Sequence, residues 1–172
     1  MPQEPFLFSG TVRENMAMRG ASTDAADARA LAIAALAQDM SGFAKGPDTE
    51  IGERGIRVSG GQRQCIALAR AAATLPRRLV LDDPFSAVDV RTEAQITAGL
   101  RDAFGAGAPA AQRATIVLCS HRLAAFPLAD MVVVLDQGRI VEQGTHAALL
   151  RAGGVYARIH AAQAMLATED RP

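Results

Sequence analysis

A chain of 172 residues, 49% hydrophobic and 21% charged, has the length of one domain and enough apolar mass for a core, which excludes a disordered segment. Eighteen basic residues balance eighteen acidic ones, so no global field draws nucleic acid or anionic lipid to the surface, and any anion site has to be local. No apolar run approaches the roughly 20 residues that span a bilayer, and no basic segment followed by an apolar one opens the chain, so membrane contact has to go through a partner.

From Met1 to Gly20 the sequence runs through an apolar cluster and a polar turn into a short helix opening at Thr11, with Glu14 in the capping-box position. Ser22 to Ala37 reads as an Ala-rich helix whose larger apolar residues are Leu31, Ile33 and Leu36, with Thr23 or Ser22 as its cap. Ser41 to Val58 is rich in Gly, Pro and charge without helical period, and is expected as a loop with a short ribbon. A second helix starts at Ser59 and ends near Leu75 and Pro76. From Arg78 short apolar runs alternate with helical stretches, the texture of parallel βαβ units. Leu79 to Leu81 is a strand, Asp89 caps a helix toward Phe104, and Gly105 to Ala111 is a loose connection. Strands follow at Thr115 to Cys119 and Met131 to Leu135, the latter turning through Asp136-Gln137-Gly138-Arg139 into Ile140 to Glu142. Two helical pieces, Thr145 to Leu150 and Val155 to Leu166, close the chain on either side of Gly153-Gly154. Cys65 and Cys119 lie far apart, each in an apolar stretch and without metal-ligand spacing, so both are expected as buried, reduced thiols.

Chemistry concentrates at three places. Ser59-Gly60-Gly61-Gln62 stands at the mouth of a helix, where unpaired amides carry partial positive charge, two glycines admit a phosphate to the backbone and a hydroxyl adds a donor. Seventeen residues after Gln62, Leu79-Val80-Leu81-Asp82-Asp83-Pro84 is an apolar strand ending in two carboxylates. At the carboxyl end of a parallel strand such acids face the ligand crevice; the first can hold the water shell of Mg²⁺ and the second can orient or deprotonate a water. Cys119-Ser120-His121-Arg122 ends another strand and brings an imidazole to the same predicted rim.

In this order the motifs resemble the ABC ATPase family. Gln3 looks like the Q-loop residue, Ser59 to Gln62 the signature loop, Leu79 to Asp83 Walker B, Ser86 to Asp89 the D-loop and His121 the switch histidine. Phe6 to Val12 and Thr49 to Gly55 are similar to exporter-type regions that lie near the coupling helices of the membrane domain, the second being the exporter X-loop. The resemblance implies an α/β fold: an incomplete RecA-like P-loop NTPase core, mostly parallel sheet, with an α-helical subdomain inserted over 10–75. Residues 76–144 would then carry Walker B, the D-loop and the switch histidine, and 145–172 the C-terminal helices. It also implies ATP and Mg²⁺ as cofactors. Gln3, Asp83 and His121 would be catalytic, Asp82 and Gln3 would hold Mg²⁺, and Ser59, Gly60, Gly61, Gln62, Asp82 and Asp89 would contact nucleotide.

The implied partners are a second ABC ATP-binding domain, whose nucleotide the signature loop would reach, and the transmembrane domains of a fused exporter half-transporter, which would hold the chain at the cytoplasmic face of the membrane. Two departures qualify the match. No G-x-x-G-x-G-K-[ST] phosphate loop occurs in these residues, so the resemblance is to a stretch from the Q-loop onward that is not expected to hydrolyse ATP by itself. The alternative is a non-catalytic module, or a truncated product, donating only its signature half-site. Asp83 stands where hydrolytic members carry Glu, as in the degenerate site of asymmetric exporters. A chromosome-organising ATPase, a rival that also carries a signature loop, needs long coiled-coil heptads, and none is present in these residues.

Overall fold

Thr11 is the last residue of one element and the cap of the next. With Gly10 it forms a two-residue strand, β1 (Gly10–Thr11), antiparallel to β2 (Glu50–Ile51), and its hydroxyl then accepts from the Glu14 amide to start helix α1 (Val12–Ala17). The Glu14 carboxylate reaches back to the Thr11 amide at 2.7 Å and completes the capping box. The computed structural model describes residues 1–18, 23–52 and 55–169, which divide into two compact units, Met1–Ser120 and His121–Pro172.

In the first unit α1 packs on α3 (Gly60–Ala72), and α2 (Asp24–Ile33) packs on both α3 and α4 (Val90–Phe104). Val12, Met16, Leu31, Ile66, Leu68, Ile96, Leu100 and Phe104 fill the space between them. In α4 the spacing of Ile96, Leu100 and Phe104 sets one apolar stripe at intervals of four. Gly99 lets α4 come close, since a side-chain carbon there would meet the Ile33 carbonyl oxygen at 2.9 Å. The Arg13 guanidinium ties α1 to Asp24 and Asp27 of α2 and to Asp48, and the Asp48 hydrogen bond is the main cause holding its pKa above the ordinary arginine value.

Helix α2 ends four residues earlier than its composition suggests. The amide of Ala35, at φ +54°, bonds Ala32 O, and the amide of Leu36 bonds Leu31 O, the two bonds of a Schellman stop. Leu36 is fully buried beyond it. The Thr23 hydroxyl caps α2, whereas Ser22 lies outside the described residues, as do Glu53 and Arg54 of the X-loop-like stretch.

The strands β3 (Arg78–Asp82) and β4 (Thr115–Cys119) pair in parallel, in register from Arg78 with Thr115 to Asp82 with Cys119, and α4 is the crossover between them. Leu79 and Leu81 are buried, while Val80 and Val117 stand opposite one another on a face about half exposed. Cys119 belongs to that face and is exposed, which corrects the expectation of a buried thiol. The cause is the period of two along a strand, which puts Cys119 with Thr115 and Val117 rather than with Ile116 and Leu118. On the far side of β3, the Met1 amine donates to Val80 O at 2.7 Å and Met1 O accepts from the Asp82 amide at 3.1 Å, so Met1 takes a parallel strand position beside Leu81.

The second unit is a hairpin and two helices. β5 (Val132–Asp136) and β6 (Arg139–Gly144) are joined through Gln137 and Gly138, both at positive φ as a type I′ turn requires. α5 (His146–Ala152) is capped by Thr145 and ends at Gly153 in the left-handed region. The Glu142 carboxylate accepts from the amides of Val155 and Tyr156 and so caps α6 (Val155–Glu169). Val132, Leu149 and Tyr156 form its buried centre. The Tyr156 hydroxyl lies 2.7 Å from His146 Nδ1, and burial raises its pKa above the ordinary tyrosine value.

Candidate nucleotide half-sites

Two of the three predicted clusters lie within the first unit, and the loop after β3 runs from one to the other. The Ser59 hydroxyl accepts from the Gln62 amide at 3.1 Å, and Gln62 Oε1 accepts from the Ser59 amide at 3.0 Å, a second capping box that fixes the first turn of α3. The Ser59 hydroxyl proton remains to donate. Gly60 and Gly61 stand at the helix start, where amides have no intrahelical acceptor, and Ser59 and Gly60 are exposed. This is the amide-rich end at which an anion is favoured.

The loop after β3 closes on these glycines. A side-chain carbon on Gly61 would lie 2.9 Å from Ala87 O, and one on Gly60 would lie 3.3 Å from Ala87 Cβ. Glycine is therefore required at Gly61 by a neighbouring carbonyl. Val88 beside it is buried.

Asp82 is exposed at the end of β3 and Asp83 is buried just beyond it, with its amide donating to Cys119 O at 2.8 Å. Asp83 adopts φ +43°, a left-handed conformation in which Asp is found more readily than longer side chains. Gln3 is exposed, two residues after the Met1 that pairs with β3. Carboxylate and amide oxygens are the donor types that a hard divalent cation takes. Asp89 commits both carboxylate oxygens to α4, accepting from the Thr92 amide at 2.9 Å and the Thr92 hydroxyl at 2.8 Å. The backbone bond from Thr92 is the main cause lowering its pKa. His121 opens the second unit, two residues beyond the end of β4, and its carbonyl accepts from the Gln163 side chain.

Two further polar residues on α3 escape a reading of motifs. Gln64 is 4% exposed, among the apolar residues that follow the signature loop, and both ends of its side-chain amide bond the loop after β3. Arg70, three turns into the helix, donates to Phe6 O at 2.8 Å, Asn15 O at 2.7 Å and Asn15 Oδ1 at 2.9 Å and lies over the Phe8 ring. Burial lowers the Arg70 pKa from the ordinary arginine value. A polar residue on the apolar stripe of an amphipathic helix is the signal that would have drawn attention to Gln64. Beside Arg70, an apolar cavity of about 280 Å³ runs between α3 and residues 1–8, with Phe6 69% and Phe8 49% exposed at its edge.

The family model described as ABC transporter matches residues 1–86. The chain is 42% identical over 171 residues to an ATM1-type heavy metal exporter of Novosphingobium aromaticivorans, covering 98% of this chain and 27% of that protein. It is also 42% identical over 161 residues to an ATP-dependent lipid A-core flippase of Pseudomonas putida, covering 92% of this chain and 26% of that protein. Among solved structures, a bacterial Atm1-family ABC exporter with ATP bound superposes with a TM-score of 0.83 at 39% identity, over 95% of this chain and 28% of that one. The chain thus spans about a quarter of the length of the curated relatives it matches.

Proposed function

The chain belongs to the ABC transporter family, with the mixed α/β fold of a partial RecA-like ATP-binding domain, and from that premise we propose that it is the region of an exporter that couples ATP to substrate movement. The observation that carries this reading is the seating of the loop after Asp83 against the glycines that open α3, which joins a carboxylate-bearing strand end and an anion-binding helix end in one unit. Asp82, Asp83 and Gln3 serve this chain's own nucleotide, and Ser59 to Gln62 reach a nucleotide held mainly by a partner domain. Asp89 acts from the same loop, through the cap of α4. Asp82 and Gln3 would hold Mg²⁺, which would supply neutralisation of phosphate charge. Asp83 orients the attacking water, and His121 keeps the switch-histidine role that the family resemblance implies.

The exposed Phe6 and Phe8 edge and the cavity behind it take the coupling segment of a membrane domain, an apolar patch of the kind that marks an interaction surface. No helix among the described residues is long and apolar enough to cross a membrane; attachment at the cytoplasmic face through the membrane domains is part of the same proposal.

These residues hold no glycine-rich lysine loop to cradle phosphates, so the 172-residue polypeptide alone should bind Mg-ATP no tighter than millimolar. Calorimetric titration checks this, and submicromolar affinity would overturn the division of the two half-sites between domains.

A further inference from the structure

Gln64 has no reason to be polar on grounds of burial. At 4% exposure a leucine or methionine of similar volume would pack without the penalty, about 1–3 kcal/mol, of enclosing an amide that lacked partners. Both ends of the amide are bonded instead. Oε1 accepts from the Ala87 amide at 2.9 Å, and Nε2 donates to Ser86 Oγ at 2.5 Å. The loop so held is the link from the buried Asp83 at the end of β3 to Asp89 at the cap of α4. It is also the loop whose Ala87 lies against Gly60 and Gly61. Gln64 therefore grips this loop at Ser86 and Ala87, and Ala87 is the residue touching the helix end that receives the other nucleotide.

We propose that Gln64 is a positioning residue that couples the two half-sites of this chain. Its side-chain bonds go to Ser86 and Ala87 of the loop. By fixing the loop to α3 it makes a displacement at Asp83 move the start of α3, and the reverse. The inference rests on the functional reading above and names the element through which the two sites sense each other. Loss of the grip should slow turnover and weaken cooperativity between ATP sites while leaving ATP affinity in place, because the groups that bind phosphate are unchanged. An error of about 1 Å at a reacting centre costs up to roughly 10²-fold, so a loosened loop is expected to cost about tenfold.

The test is steady-state ATP hydrolysis by the full transporter that contains this chain, with both ATP-binding domains present, comparing wild type, Gln64→Leu, Gln64→Glu and Ser86→Ala. The expected result is a kcat about tenfold lower in Gln64→Leu, with KM within twofold and a Hill coefficient falling toward one. Gln64→Glu should regain most of the rate, since a carboxylate can accept from both the Ala87 amide and the Ser86 hydroxyl, and Ser86→Ala should fall between. Hydrogen exchange at the Ala87 amide should quicken about tenfold in Gln64→Leu. Wild-type kcat and Hill coefficient in Gln64→Leu would overturn the proposal, as would an unchanged Ala87 exchange rate. Equal loss in Gln64→Leu and Gln64→Glu, with Ser86→Ala unaffected, would also overturn it by showing a packing role alone. A wild-type transporter that does not hydrolyse ATP rejects the functional reading instead, and this inference with it.

Discussion

Cys65 and Cys119 show how position on an element decides chemistry. Cys65 lies on the buried stripe of α3, and burial pushes its thiol up to about 12, whereas Cys119 sits on the open face of the β3–β4 pair. At neutral pH a thiol reagent should modify Cys119 quickly and Cys65 only as the helices open, read by mass spectrometry of the alkylated peptides. A folded value above the unfolded one means that Cys65 contributes stability that is fully present below about pH 8.5 and is lost as pH rises toward 12. Cys65→Ala should flatten that alkaline decline. Asp83 gives a second prediction. In the full transporter, Asp83→Glu should raise single-turnover hydrolysis at this chain's own site by up to about 10²-fold with the opposite site disabled, because the longer side chain reaches where hydrolytic relatives place their carboxylate. Its left-handed backbone favours Asp over Glu and sets a small opposing cost in stability. An unchanged or lower rate would contradict a degenerate site.

Caps and strand ends were legible in sequence because their hydrogen bonds are local. Thr11 with Glu14, Ser59 with Gln62, and Asp89 with Thr92 each close within three residues. The stop of α2 was not, because Ala35 occupies a left-handed position that usually advertises itself with glycine. Ala35→Gly should relieve about 1 kcal/mol of backbone strain and slow exchange of the Leu36 amide. Gly99 makes the opposite case at the crossing of α2 and α4. Gly99→Ala raises helix propensity yet drives a methyl group toward Ile33 O, so the midpoint of helix loss in urea should fall by the equivalent of about 1–3 kcal/mol. A gain in the midpoint would show that the crossing can open without cost.

The whole molecule was legible where motifs and period-two strands carry it, and not where residues far apart in sequence meet. Gln64 reaches Ser86 and Ala87 across more than twenty positions, and nothing local in the sequence marks that pairing. The exposure of Cys119, by contrast, follows from the period of two along β4, which sets it on the open face with Thr115 and Val117. Val80 and Val117 stand about half exposed on the same face, so the isolated polypeptide should bind a hydrophobic dye, retain substantial helix and melt without a sharp transition. A monodisperse monomer with a steep melt would show that this face is closed by the chain itself. The central claim is that the start of α3 serves a nucleotide held elsewhere. It is tested most directly by mixing the chain with a hydrolysis-blocked ATP-binding domain that carries its own phosphate loop and following the mass of the complex by light scattering. The account predicts a complex only when Mg-ATP is present, and its loss in Gly61→Asp, where a carboxylate would take the place of phosphate; a complex that forms equally without ATP, or that tolerates Gly61→Asp, would contradict it.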